Sequence, residues 1–262
     1  MFDWIFSTPA PVLGALIIVA FSAAGLAGLS LTRRLILPRL GDLTHSNEFV
    51  GSMHHGILII YGLAVALIAI AVWESYSSAE KLVSGEATAI SALYRDAAGY
   101  PEPARSQIRA GIRAYTEQII REAWPVQRSG RVPTAGIALV DKIQEDMFAF
   151  VPTSEAQGIL HAEALHAYNA MIQARRLRID AVDSGLTPAM WAVVLFGALI
   201  CLFASYFFEV GNPGLHKLMV VLLASLMGLL VFMIVLYDYP FRGTHGIGSE
   251  SYELVYEHLM RP

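Results

Sequence analysis

The sequence predicts an all-α integral membrane protein: four transmembrane helices, with a water-exposed four-helix bundle inserted between the second and third spans. Three observations carry this. Hydrophobic residues make up 55% of the 262 residues and charged residues only 15%, against about 25% charged in ordinary soluble domains. Four apolar runs, near 12–31, 56–72, 189–208 and 218–237, have about the length needed to cross 30 Å of hydrocarbon as a helix. Between the second and third runs, polar and apolar residues alternate at three- and four-residue spacings, which is helical periodicity.

The chain divides into residues 1–74 (spans one and two), 75–187 (the bundle) and 188–262 (spans three and four with a short C-terminal helix). Met1–Pro11 has no Lys or Arg and does have Asp3. The run after it therefore reads as a membrane helix rather than a signal peptide. Ala20, Ala24 and Gly28 lie at spacing four with Gly25 beside them, a small-residue ladder that would let another helix approach closely. Gly56–Val72 carries no charge, Tyr61 is its only hydrogen-bonding side chain, and Trp73 follows where an aromatic belt residue belongs. No proline stops this helix, so one long helix is expected to leave the membrane and continue to about Asp96. Gly85 weakens its continuity.

The bundle is read as helices over roughly 75–98, 102–123, 134–150 and 153–184. They are separated by Gly99–Pro103, by Trp124-Pro125 with Ser129-Gly130, and by Val151-Pro152. Ser154 is placed to cap the last. Pro188 opens the third span, and Pro240 stops the chain just after the fourth. A stripe of Tyr252, Val255, Tyr256 and Leu259 then marks an amphipathic helix, about 251–260, that lies on the bilayer or against the bundle. Four spans put both termini and the bundle on one side. Arg33, Arg34 and Arg39 favour a cytoplasmic first connector and hence an extracytoplasmic bundle, whereas Lys81, Arg175, Arg176 and Arg178 argue the reverse. The reading leans extracytoplasmic.

The net charge of -4 gives no electrostatic reason to expect nucleic acid, and a single cysteine, Cys201, excludes an internal disulfide or a cysteine metal cluster. The apolar runs carry no ionisable residue at depth, which argues against a proton pump or coupled carrier but not against a channel gated by an apolar constriction. No phosphate loop, nucleophile elbow or His-Glu-x-x-His occurs, so no enzyme, cofactor or metal is expected.

Several residues are candidates for function. Ile57, Ile60, Tyr61 and Ala64 share one side of the second span and would line a pore, or else pack against neighbouring helices. Arg175, Arg176 and Arg178 allow three roles: pairing with acids such as Glu86 or Glu122, an anion-attracting ring in an oligomer, or contact with lipid head groups. Asp238 and Arg242 bracket Pro240-Phe241 at a membrane exit, as a cap, a bend or a gating hinge. Glu163-x-x-His166 is half of a di-metal signature with no second copy. His45, Glu48, His54 and His55 cluster in the first connector without regular ligand spacing.

Asn47…Gly51, Trp73-x-x-Tyr76-x-x-Ala79, Glu86-Ala87, Tyr115, Glu122-Ala-Trp124, Arg175-Arg-Leu-Arg178, Pro188-x-x-Trp191 and Pro240-Phe-x-Gly243 occur in that order over roughly 47–260. In this pattern the chain resembles the bestrophin-like family of bacterial membrane proteins. One departure is Ala123, which separates Glu122 from the tryptophan. The resemblance implies a distant likeness to bestrophins, pentameric anion channels with four spans and a helical domain. It implies a homo-oligomer in the bacterial cytoplasmic membrane, with the second span at the pore. Bestrophins hold their helical region in the cytoplasm, against the orientation favoured above. The expected function is an oligomeric channel for an anion or other small ion. The alternative is a non-conducting scaffold whose bundle docks a protein partner.

Overall fold

In the computed structural model, which describes residues 3–40 and 46–261, every regular element is helical. The chain begins with α1 (Asp3–Ser7), α2 (Ala10–Leu35), α3 (Leu37–Leu40) and α4 (Asn47–Asp96). It continues with α5 (Ala104–Gln118), α6 (Trp124–Arg128), α7 (Ile137–Phe148) and α8 (Glu155–Asp180), and ends with α9 (Pro188–Ser205), α10 (Pro213–Tyr237) and α11 (Glu250–Val255). α2, α4, α9 and α10 are the four helices apolar and long enough to cross a membrane. Two compact units result. One holds Met1–Glu74 and Gly185–Asp238, the other Ser75–Ser184 and Tyr239–Pro262.

In the first unit α2 packs along α10, and glycine sets how closely. A methyl group added at Gly25 would stand 3.2 Å from Ala224 Cβ, and one at Gly228 only 3.1 Å from the Ile18 backbone. Of the expected ladder, Ala20 and Ala24 are exposed, so only its glycines admit a neighbour: Gly25 meets Ala224, and a methyl group at Gly28 would fall 2.6 Å from the Tyr206 hydroxyl. Gly14 and Gly228 add to the approach. Ser22 and Ser225 hydroxyls share a hydrogen bond of 3.1 Å across this contact. The second span meets the third through Tyr61, whose ring lies over Gly197 and whose hydroxyl donates to the Val194 carbonyl at 3.1 Å. A Gly197 Cβ would fall 2.4 Å from the Tyr61 ring, so Gly197→Leu forces the ring out. The expected cost is about 1–3 kcal/mol of overpacking. A melting temperature in detergent unchanged from the parent would refute this contact.

α4 is a single helix of 50 residues, about 75 Å long. Gly85 does not interrupt it. In the second unit Ile90, Leu93, Ile108, Ile112, Ile143 and Met171 form a core with no exposed surface. Ser154 caps α8 as expected, accepting from the Gln157 amide. Pro125 does not end its helix. A π turn over Ile119–Ala123 precedes it, with the Trp124 amide donating to Ile119 O, and α6 carries the helical path on to Arg128. A proline at this place removes a hydrogen bond and crowds the carbonyl four residues back. The widened turn absorbs both effects. α11 and the π turn Tyr256–Met260 that follows it pack on this core, burying Tyr252 and Met260 completely.

Candidate functional site

The second unit is organised around a buried charge. Glu86 lies on α4 with no exposed surface, and Arg178 on α8 is 1% exposed. Arg178 Nε donates to Glu86 Oε2 and its Nη2 to Oε1, a two-pronged pairing. Tyr115 of α5 donates to Glu86 Oε1 at 2.7 Å and Tyr252 of α11 to Oε2 at 3.0 Å. Arg178 Nη1 donates to Gln127 Oε1, and its guanidinium faces the Trp124 and Tyr252 rings at 5.6 and 5.9 Å. The Trp124 indole N–H donates to Ile247 O at 3.1 Å. Five helices and the C-terminal loop thus meet on one ion pair. The π turn is what rotates Trp124 and Gln127 toward it.

Burial by itself lowers the Arg178 pKa, but Glu86, together with the nearby phenols, more than offsets this and holds it above the usual guanidinium range. Burial first, and then the Glu86 charge, push the Tyr115 and Tyr252 hydroxyls well above 10. An acid whose folded pKa is raised keeps a proton that the unfolded chain releases. The stability tied to that proton is complete below about pH 10 and is lost as pH rises beyond it. The free energy of unfolding in denaturant is expected to fall above about pH 10 by up to ~1.4 kcal/mol per pH unit for each phenol. Ultraviolet titration should show Tyr115 and Tyr252 ionising last, after Tyr168, which burial also raises, and Tyr100, which burial pushes up to about 12. Synchronous ionisation near pH 10 would contradict the buried arrangement.

The predicted residues fall as follows. Of the arginine group, Arg178 is in the ion pair, Arg175 is half-buried with its Nε buried and unpartnered, and Arg176 is exposed. Glu122 is exposed, so Glu86 is the acid that pairs. On the second span Tyr61 faces inward, Ile57 and Ala64 are half-buried on its flank, and Ile60 is 73% exposed. The four do not present one common surface.

A different register does. Phe49, Met53, Gly56, Ile60, Leu63, Leu67 and Ile70 are all exposed and alternate at spacings of four and three. That is the a/d seam of a heptad, and Glu74 is the first charge on it. The 3.5-residue period was legible in the sequence, but a search for 3.6-residue amphipathicity passes over it.

Asp238 closes α10 and is buried. It accepts from the Leu186 amide at 2.6 Å and from the Trp191 indole at 3.0 Å. Burial raises its pKa, and these two donors pull the other way. Pro240 O accepts from Ile247 N at 2.7 Å, and the Arg242 guanidinium lies 4.7 Å from the Tyr239 ring centre. Glu163, His166, Glu48 and His55 are exposed, while His45 lies outside the described residues. His54 packs edge-on against Phe208, beside an apolar cavity of about 360 Å³ that His216 also lines. Arg33 can only donate, so His216 Nδ1 accepts from it at 2.8 Å, leaving Nε2–H to donate to Ser205 O at 3.0 Å.

Four apolar helices and a second, polar helical unit define a polytopic α-helical membrane protein. The chain belongs to the bestrophin-like family: the model of the bestrophin-like domain matches residues 19–252. Neither a curated protein nor a solved structure matches it.

Proposed function

We propose that the chain is one subunit of an oligomeric ion channel whose second spans surround the conducting path. The observation that carries this reading is the heptad seam on α4. Only 17% of the second span's most apolar window is buried, against 22%, 28% and 33% for the other spans. A continuous seam of period 3.5 on the least covered span suits a parallel ring of the same helix, whose a/d side chains point at the common axis. Membership of the bestrophin-like family supports the same reading. Such an axis is apolar over Ile60, Leu63, Leu67 and Ile70 and serves as a gate that closes by dewetting. Glu74 would then form a ring of carboxylates at one mouth and select for cations. This narrows the expectation of an anion or other small ion. α4 carries both the seam and Glu86.

The membrane is the bacterial cytoplasmic one in this reading. Arg33, Arg34, Arg39 and Lys217 lie at the cytoplasmic ends of the spans, and the second unit is extracytoplasmic. Lys81, Arg175, Arg176 and Arg178 count the other way, but a segment as long as the second unit translocates largely regardless of its charge.

The scaffold alternative has its own observation. Phe148 and Val151, near the end of α7, and Ile159 on α8 are 63%, 75% and 67% exposed, which suits a face that docks a protein partner. Ion flux from liposomes containing the purified chain, with its mass in detergent, separates the two readings. A channel gives flux and a ring-sized mass. A monomer or dimer silent under varied pH, voltage and calcium would overturn the channel.

A further inference from the structure

We propose that the second unit binds a soluble oxyanion of the phosphate class in a pocket on α5, a site independent of whether the chain conducts. Arg105, Arg109 and Arg113 lie at spacing four, so they share a face of α5 at about 6 Å intervals. With Tyr94, Glu102 and Ser106 they line a concavity of about 350 Å³. The arginines are held rather than loose. Arg105 Nε donates to Tyr100 O at 2.8 Å, Arg109 stacks over the Tyr94 ring at 4.1 Å, and Arg113 donates to the Tyr94 hydroxyl at 3.4 Å. The Nε atoms of Arg109 and Arg113 are nevertheless buried without a hydrogen-bond partner in the protein.

Charge is out of balance in the same place. Glu102, the one carboxylate lining the pocket, stands 3.8 Å from Arg105 Nε and accepts from the Ser106 hydroxyl and amide at 2.6 and 3.3 Å. Like charges at spacing four destabilise a helix, so three arginines facing one committed carboxylate leave the empty pocket electrostatically unfavourable. An anion corrects this, and planar guanidinium forks match the oxygen pairs of phosphate rather than a spherical halide. A lipid head group carries the same chemistry. However, α5, which carries the three arginines, is not among the helices apolar enough to cross a membrane, which favours a dissolved ligand.

The test titrates inorganic phosphate and pyrophosphate into the full chain in neutral detergent by calorimetry, at constant ionic strength set with chloride. Saturable binding of pyrophosphate is expected, weakened about tenfold or more by Arg109→Gln and by Arg113→Gln, equivalent to ~1.4 kcal/mol or more. Glu102→Gln, which removes the competing carboxylate, should tighten binding severalfold, a gain that misfolding cannot produce. The site is overturned if pyrophosphate does not saturate the parent chain, or if both arginine variants bind as the parent does. Saturation by micelles of phosphatidic acid alone, with phosphate and pyrophosphate inert, would overturn the assignment to a dissolved ligand.

Discussion

Replacing Arg178 by methionine is expected to destabilise the second unit by about 3–5 kcal/mol, the usual cost of breaking a buried ion pair from one side. The side chain is close in length, so lost volume is a minor part of the effect. What remains is the Glu86 carboxylate with no exposed surface and no cation. Tyr115 and Tyr252 still donate to it, but neutral donors do not replace the Coulomb attraction of a guanidinium in a low-dielectric interior. Gln127 loses its Oε1 donor as well, and its Nε2 is already buried without a partner. Arg178→Lys separates charge from geometry. It keeps the cation but gives up the two-pronged fork and the reach to Gln127, so an intermediate loss is expected. For a unit of this size several kcal/mol corresponds to a fall in melting temperature of roughly ten degrees or more. Thermal unfolding followed in detergent gives the answer. A methionine variant melting within a degree or two of the parent would mean that Glu86 and Arg178 are not the pair described.

This pair marks how far the sequence could be read. The partners Arg178 and Glu86 stood among the pairings that the sequence allowed, because an acid in the middle of an amphipathic helix needs a cation. Choosing Glu86 over Glu122 required knowing that the π turn before Pro125 leaves Glu122 in solvent while turning Trp124 and Gln127 inward. That turn has no propensity signature. A proline read alone marks an end, and only tertiary packing lets the helix run through it. The membrane spans were legible because hydrocarbon imposes length and apolarity directly. The stripe of Tyr252, Val255, Tyr256 and Leu259 was legible as amphipathic. Its resting place was not, because a bilayer and a protein core ask for the same apolar face. The basic face of Arg105, Arg109 and Arg113 was visible at spacing four, but a solvated helix face shows that spacing too. Only the buried, unpartnered Nε atoms distinguish the two.

The pore proposal turns on which side of the second span faces what, and Ile60 and Tyr61, both pore-lining candidates from the sequence, face different ways. Tyr61 is one residue, hence about 100°, from Ile60, and the structure turns Tyr61 onto Gly197 while leaving Ile60 outward. Ile60→Trp and Leu63→Trp are therefore expected to cut ion flux at least tenfold, equivalent to ~1.4 kcal/mol on the barrier, with little change in melting temperature. Indoles on the seam fill the axis of a ring without disturbing the protomer. Tyr61→Trp should do the reverse, lowering stability by overpacking against Gly197, with flux falling only as folded protein is lost. Leu222→Trp, at a position 55% exposed on α10 and away from the seam, should leave both unchanged. Glu74→Gln should reduce the preference for cations over anions, since each carboxylate at the mouth is worth about 1 kcal/mol or more to a nearby cation. Reversal potentials in asymmetric salt measure this. If flux survives tryptophan at both Ile60 and Leu63, the conducting path does not run along the α4 seam. If those variants silence flux while Glu74→Gln leaves selectivity intact, the path is right and the charge filter lies elsewhere on it.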